Sequence, residues 1–138
     1  METFTIGELS RRSEVKIPTI RYYESIDLLP QPLRTESNRR LYTQNTLRQL
    51  NFIRRARDLG FDIEAIKQLQ SLLEDPSQPC ANAHEIAEHR LQDVEDKLKQ
   101  LQDLKKKLLK MVSCGRHQNI EHCAIIETLD HPKDAASF

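Results

Sequence analysis

Eight apolar residues, Ala87, Leu91, Val94, Leu98, Leu101, Leu104, Leu108 and Met111, recur at intervals of 4, 3, 4, 3, 3, 4 and 3. That spacing is a coiled-coil seam with one stammer. Charged residues such as Asp93, Glu95, Lys99, Lys105, Lys106 and Lys107 fill the positions between them, so the stripe has nothing on its own helix to pack against. A helix over residues 82–112 would overhang any domain the front of the chain can build. Dimerisation through that seam is therefore expected. With 138 residues, no Trp and only 5% aromatics, the chain fits one compact domain, or a small domain plus an elongated helix, and cannot bury a large core alone.

The three cysteines fall at the two ends of this helix. Cys80 precedes it, and Cys114 and Cys123 follow it. At 1.5 Å per residue the helix separates Cys80 from the other two by about 45 Å, so one chain cannot close the three thiols around one ion. Two chains can, if their helices pair antiparallel and each Cys80 meets the partner's Cys114 and Cys123. No run of about 18 apolar residues exists, and residues 1–10, METFTIGELS, lack the basic-then-apolar layout of a signal peptide. A soluble cytoplasmic protein with no membrane partner is expected, and in a reducing compartment an odd number of cysteines points to metal ligands or redox thiols rather than disulfides.

The net charge of zero conceals an asymmetry. Residues 1–58 hold 11 Lys/Arg against 7 Asp/Glu, a weak footprint of a polyanion binder. In that half, residues 4–6 read as a short extended segment and residues 7–12 as a first helix with Leu9 inward. Residues 13–17 turn the chain, and Pro18 opens a second helix in the first turn, where proline is tolerated. Two short helices joined by a tight turn make a helix-turn-helix. Pro30 and Pro32 end that unit. Residues 34–42 read as a small hairpin turning near Ser37 and Asn38, since Asn accepts the left-handed conformation. This has the form of a wing.

Thr43 is a suitable N-cap for a third helix, along which Leu47, Leu50, Ile53 and Ala56 recur until Gly60 stops it. Asp62 caps a fourth, with Phe61 and Ile66 placed as a hydrophobic staple and Ile66, Leu69 and Leu73 as its buried stripe. Residues 75–79, Asp-Pro-Ser-Gln-Pro, form the clearest linker. After the long helix, Gly115 begins a short polar loop, residues 123–129 suit a final short helix, and the tail beyond it is expected to be mobile.

At Ile6-Gly-Glu-Leu9, Thr19-Ile-Arg-Tyr-Tyr-Glu24, Arg40-Leu-Tyr42, Phe52-Ile53 and Leu59-Gly60-Phe61, the chain resembles the MerR family of transcriptional regulators. The resemblance covers residues 3 to about 129 and implies a mainly α fold. A winged helix-turn-helix DNA-binding domain (1–75) is followed by a long antiparallel coiled-coil dimerisation helix (80–113) and a C-terminal segment (114–138) with a metal-binding loop, short helix and tail. It implies that the helix from Pro18 enters the major groove, bringing Lys16, Thr19, Arg21, Tyr22 and Tyr23 to promoter DNA. The competing reading of Ile20 and one of the two tyrosines is as core residues. The wing would carry Arg34, Arg39, Arg40 and Tyr42 to the phosphate backbone. Many relatives have glycine in the wing turn and an aromatic where this chain has Arg39.

The resemblance also implies a metal effector. Cysteines at the positions of Cys114 and Cys123 form the loop ligands of metal sensors, and a cysteine at the position of Cys80 marks sensors of divalent ions. A third thiolate supplies the charge and coordination position that a divalent ion needs and a monovalent copper-group ion does not. Zinc is the expected effector, with cadmium, lead and mercury as alternatives, and His117, three residues after Cys114, is the expected fourth ligand, ahead of His122. Zinc-exporter regulators in the family carry an adjacent cysteine pair where this chain has Ser113-Cys114, which argues against a binuclear site. His84 and His89 read as helix surface.

In such a regulator RNA polymerase is engaged indirectly. The dimer distorts a promoter with an over-long spacer, and the 75–80 linker acts as the hinge. An oxidant- or electrophile-sensing regulator on the same scaffold, with a reactive thiol near Lys110 or Arg116, is the alternative. A metal hydrolase would need an acid/base pair that the loop lacks apart from Glu121, so no enzyme is expected.

Overall fold

Short polar side chains start three of the helices by accepting the backbone N–H groups that a first helical turn leaves free. Thr5 Oγ1 accepts from Glu8 N at 3.2 Å, Thr43 Oγ1 from Thr46 N at 3.4 Å, and Asp62 Oδ1 from Ala65 N at 2.8 Å. The computed structural model describes residues 2–113 and 119–130. Their elements are β1 (Thr3–Phe4), α1 (Ile6–Ser13), α2 (Ile17–Ser25), β2 (Leu33–Arg34), β3 (Arg40–Thr43), α3 (Gln44–Asp58), α4 (Ile63–Glu74), α5 (Cys80–Val112), a 3-10 turn (Ile120–His122) and α6 (Ala124–Asp130). The chain divides into two units, Met1–Ala87 and Glu88–Phe138.

In the first unit, β3 is the central strand of a three-stranded antiparallel sheet ordered β1-β3-β2. Phe4 pairs with Tyr42, and Leu33 with Leu41. The expected wing hairpin is present, and the N-terminal extended segment adds to it as a third strand. The turn at its tip has Asn38 at φ 66°, the left-handed conformation that Asn tolerates better than most residues. Phe4, Leu9, Ile20, Leu29, Tyr42, Leu50, Ile53 and Ile66 are almost fully buried and draw on β1, α1, α2, β3, α3 and α4. Gly60, at φ 83°, ends the α3 segment as the sequence predicts.

Two local expectations are corrected. On α4 only Ile66 is buried; Leu69 is half-buried and Leu73 is 42% exposed. The reason is that α4 meets the core near its N-terminal end, through Ile66 and the half-buried Phe61 and Ile63 packed beside it. The long helix also begins earlier than residue 82. Pro79, which lacks an N–H, precedes it directly, and Asn82 N donates to Pro79 O at 3.2 Å, so Cys80 is already helical.

Along the 33 residues of α5 nothing is buried. Leu91, Leu98, Leu101, Leu104 and Leu108 each remain about half exposed or more. In the second unit an open groove of about 310 Å³ runs between Leu101, Leu104, Lys105, Leu108, Leu109 and Val112. Burying this stripe is worth roughly 25 cal/mol per Å² of apolar surface.

Candidate DNA interface and metal centre

The face that α2 turns outward matches part of the sequence expectation. Lys16, Arg21 and Tyr22 are exposed, and Thr19 is half-buried. Tyr23 is 8% exposed and Ile20 wholly buried, so Tyr23 is the core member of the tyrosine pair. Its ring lies 6.1 Å from that of Tyr22. The carbonyl of Tyr23 accepts from both Leu28 N and Leu29 N, closing the end of the helix. Pro18, in the first turn, removes one of the N–H groups that would otherwise lack a helical partner there.

The wing turn is closed by backbone–backbone bonds and reinforced by side chain–backbone bonds. Thr35 N donates to Arg39 O at 2.9 Å and Asn38 N to Thr35 O at 2.8 Å. Thr35 Oγ1 also accepts from Arg39 N at 3.0 Å. Arg34 Nη1 donates to Asn38 O at 3.2 Å, which ties the side chain to the turn it flanks. Arg34 and Arg39 are exposed, Arg40 is half-buried, and Tyr42 is buried.

Tyr42 is a correction. It was expected to reach the DNA backbone, but only 1% of it is exposed and its hydroxyl donates to Glu24 Oε1 at 2.5 Å. Burial, reinforced by the hydrogen bond to Glu24 and by its charge, pushes the Tyr42 phenol up to about 12, against the pull of Arg40. The other Glu24 oxygen faces Arg40 Nη1 at 3.4 Å. Sequence reasoning missed Glu24 as a site residue, although a lone carboxylate closing a run of Thr, Arg and Tyr was the available signal.

The cysteines are only partly in view. Cys80 is the exposed first residue of α5, and Cys123 follows the 3-10 turn half-buried. Cys123 N donates to Ile120 O at 3.1 Å, and its carbonyl accepts from Glu127 N at 3.0 Å, so it joins the turn to α6. Cys114 and His117 lie outside the described residues, as does the side chain of His122. His84 and His89 are exposed on α5, where surface was expected. Among the described residues no three His, Cys, Asp or Glu side chains gather closely enough to hold a metal ion, nor is any helix long and apolar enough to cross a membrane.

The sequence pattern of MerR HTH family regulatory proteins matches residues 4–73, which span β1 to α4, and a second pattern, described as MerR, DNA binding, matches residues 47–111. The chain belongs to the MerR family. The HTH-type transcriptional regulator ZntR of Escherichia coli (strain K12) is 39% identical over 130 residues, covering 92% of each chain. Among solved structures, the transcription regulator PbrR691 from Ralstonia metallidurans CH34, in complex with lead(II), superposes with a TM-score of 0.82. It is 32% identical and covers 91% of this chain and 98% of its own. The dual-function regulator MerR of Bacillus megaterium MB1, in complex with mercury(II), gives 0.72 at 30% identity over 93% and 100% of the two chains.

As a MerR-family protein the chain is a DNA-binding transcriptional regulator, not an enzyme. Its helix-turn-helix is α1–α2, and β2–β3 is the wing.

Proposed function

We propose that this MerR-family chain is a cytoplasmic, homodimeric, metal-responsive regulator that binds promoter DNA through α2 and the wing. Its effector is a divalent ion, with zinc first and cadmium, lead or mercury as the alternatives. Cys80 of one protomer and Cys114 and Cys123 of the other are the thiolate ligands, with His117 as the fourth donor. Three thiolates and an imidazole suit a borderline-soft divalent ion that favours four ligands.

The observation that carries this reading is the placement of Cys80 at the start of α5 and of Cys123 beyond its end, on a helix whose leucine seam is exposed. Antiparallel pairing along that seam brings opposite ends of two helices together. The lead- and mercury-bound relatives support a metal over an oxidant as the signal. Lys16, Thr19, Arg21 and Tyr22 on α2 are the groove-facing residues of the proposal, and Arg34 and Arg39 the wing cations that meet phosphate.

Metal binding acts by favouring the DNA-distorting dimer over the relaxed one, because equal affinity for both would shift nothing. The segment from Asp75 to Cys80 is the proposed hinge, and the polymerase responds to the reshaped promoter rather than to a protein contact. The target is a gene for metal efflux or detoxification. In a promoter-reporter assay with zinc, cadmium, lead and mercury, Cys114→Ser and Cys123→Ser are expected to abolish induction while DNA binding persists. Full induction in both variants would sink the metal-sensor reading.

A further inference from the structure

Glu24 occupies the junction of α2 and the wing. It lies in the last turn of α2, is 5% exposed, and accepts from Tyr42 on β3 at 2.5 Å, while Arg40 of the same strand approaches at 3.4 Å. Its main-chain carbonyl also accepts from Gln31 Nε2 at 3.4 Å, in the segment leading to β2. One buried carboxylate thus joins two elements whose contact residues lie 16 and 18 positions apart.

The chemistry of this junction is unusual for a packing contact. Burying a carboxylate is costly unless its oxygens are bonded, and an apolar pair of similar volume would hold the two elements together without that cost. What a satisfied buried network adds is a defined geometry, because its hydrogen bonds are directional and dispersion contacts are not. Arg40, with its side chain 36% exposed, turns its guanidinium to Glu24, which leaves Arg34 and Arg39 as the wing's outward cations.

We propose that Glu24 is a positioning residue for operator recognition: by bonding Tyr42 and Arg40 it sets the angle between α2 and the wing. The inference rests on the DNA-binding reading of those two elements. Wing-to-phosphate contacts fix the register in which α2 meets base edges. If the angle loosens, the two sets of contacts no longer fit one register, and sequence selectivity falls. Binding to arbitrary duplex, which follows the number of phosphates neutralised, changes little.

The test uses the dimer of the 138-residue chain. The wild-type chain first selects its preferred duplex from a random-sequence pool. Fluorescence anisotropy then measures Kd for that duplex and for a scrambled one of equal length at one salt concentration. Tyr42→Phe removes a single oxygen and no charge, and Glu24→Gln keeps the shape of the side chain. Both are expected to melt cooperatively, to lose at least fivefold on the selected duplex and to change less than twofold on the scrambled one. The double variant is expected to lose no more than the worse single, because the residues share one network.

A selectivity ratio within twofold of wild type in Tyr42→Phe overturns the inference and reduces Glu24 to a core contact. Should Glu24→Gln fail to fold, Tyr42→Phe alone decides. Failure of the wild-type chain to select any sequence is a separate result that overturns the DNA reading beneath it.

Discussion

Arg54, in the body of α3, reaches Glu14 with Nη1 at 3.1 Å from Oε2, and Glu14 is the residue at φ 61° that turns the chain from α1 towards α2. Two contributions meet at Glu14, an ion pair and a left-handed backbone. The Glu14 carboxylate is 74% exposed, so the pair is worth little, on the order of 0–1 kcal/mol. The backbone conformation matters more. Glu14→Gln is expected to shift stability by less than about 0.5 kcal/mol, whereas Glu14→Val, β-branched at positive φ, is expected to cost about 1–2 kcal/mol. Urea unfolding midpoints at constant slope separate the two; equal losses would show that the ion pair dominates.

The attachment of α4 gives a second expectation. Because Ile66 is the buried residue of α4 and Asp62 supplies its cap, Ile66→Ala is expected to cost about 2–5 kcal/mol and Asp62→Ala about 1 kcal/mol. Chemical denaturation of the two variants is the check, and a smaller loss for Ile66 than for Asp62 would contradict the packing described.

The Tyr42 phenol, raised to about 12 mainly by burial and next by its bond to Glu24, gives a pH dependence with a definite sign. The folded chain favours the neutral phenol, so this contribution to stability is fully present below about pH 10, the unfolded value, and disappears as the pH rises towards 12. Ultraviolet titration of the Tyr22→Phe/Tyr23→Phe variant reads Tyr42 alone. A midpoint near the ordinary tyrosine value in the folded protein would refute the buried pairing.

Asp75, at the start of the linker before α5, is a group of the opposite sign. Hydrogen bonds from the Ser77 hydroxyl first and Gln78 second hold its carboxyl below the usual carboxylate range. Its depressed value means that the turn is favoured above the unfolded aspartate pKa and loosens as pH falls through the folded one. Carboxyl-carbon NMR of Ser77→Ala is expected to show the Asp75 titration moving upward; no movement would remove Ser77 as the cause.

The seam of α5 predicts the assembly. Leu98 and Leu101 are more than half exposed in the single chain, and a charge at either position would sit in the proposed interface. Leu98→Glu/Leu101→Lys is expected to sediment as a monomer at concentrations where the unaltered chain is a dimer. A variant that remains dimeric would place the interface elsewhere.

Local chemistry was legible from residues alone. Thr43 and Asp62 cap because a side-chain oxygen reaches an N–H three residues on, and Leu47, Leu50, Ile53 and Ala56 are buried because one face of a helix repeats at that spacing. Both depend on a handful of consecutive residues. The α4 stripe failed for a complementary reason: periodicity says which residues share a face, not how far along that face the core extends, and here it covers Ile66 and leaves Leu73 in the open.

The candidate interface divides in the same way. That α2 carries Arg21 and two tyrosines, and that a wing follows, was written in the order of residue types along the chain. Which tyrosine is core, that Tyr42 turns away from the surface, and that Glu24 collects Tyr42 and Arg40 were decided only when β3 folded against α2. A side chain's role follows from what lies within hydrogen-bonding distance of it, and across 18 residues of sequence only the tertiary fold sets that distance.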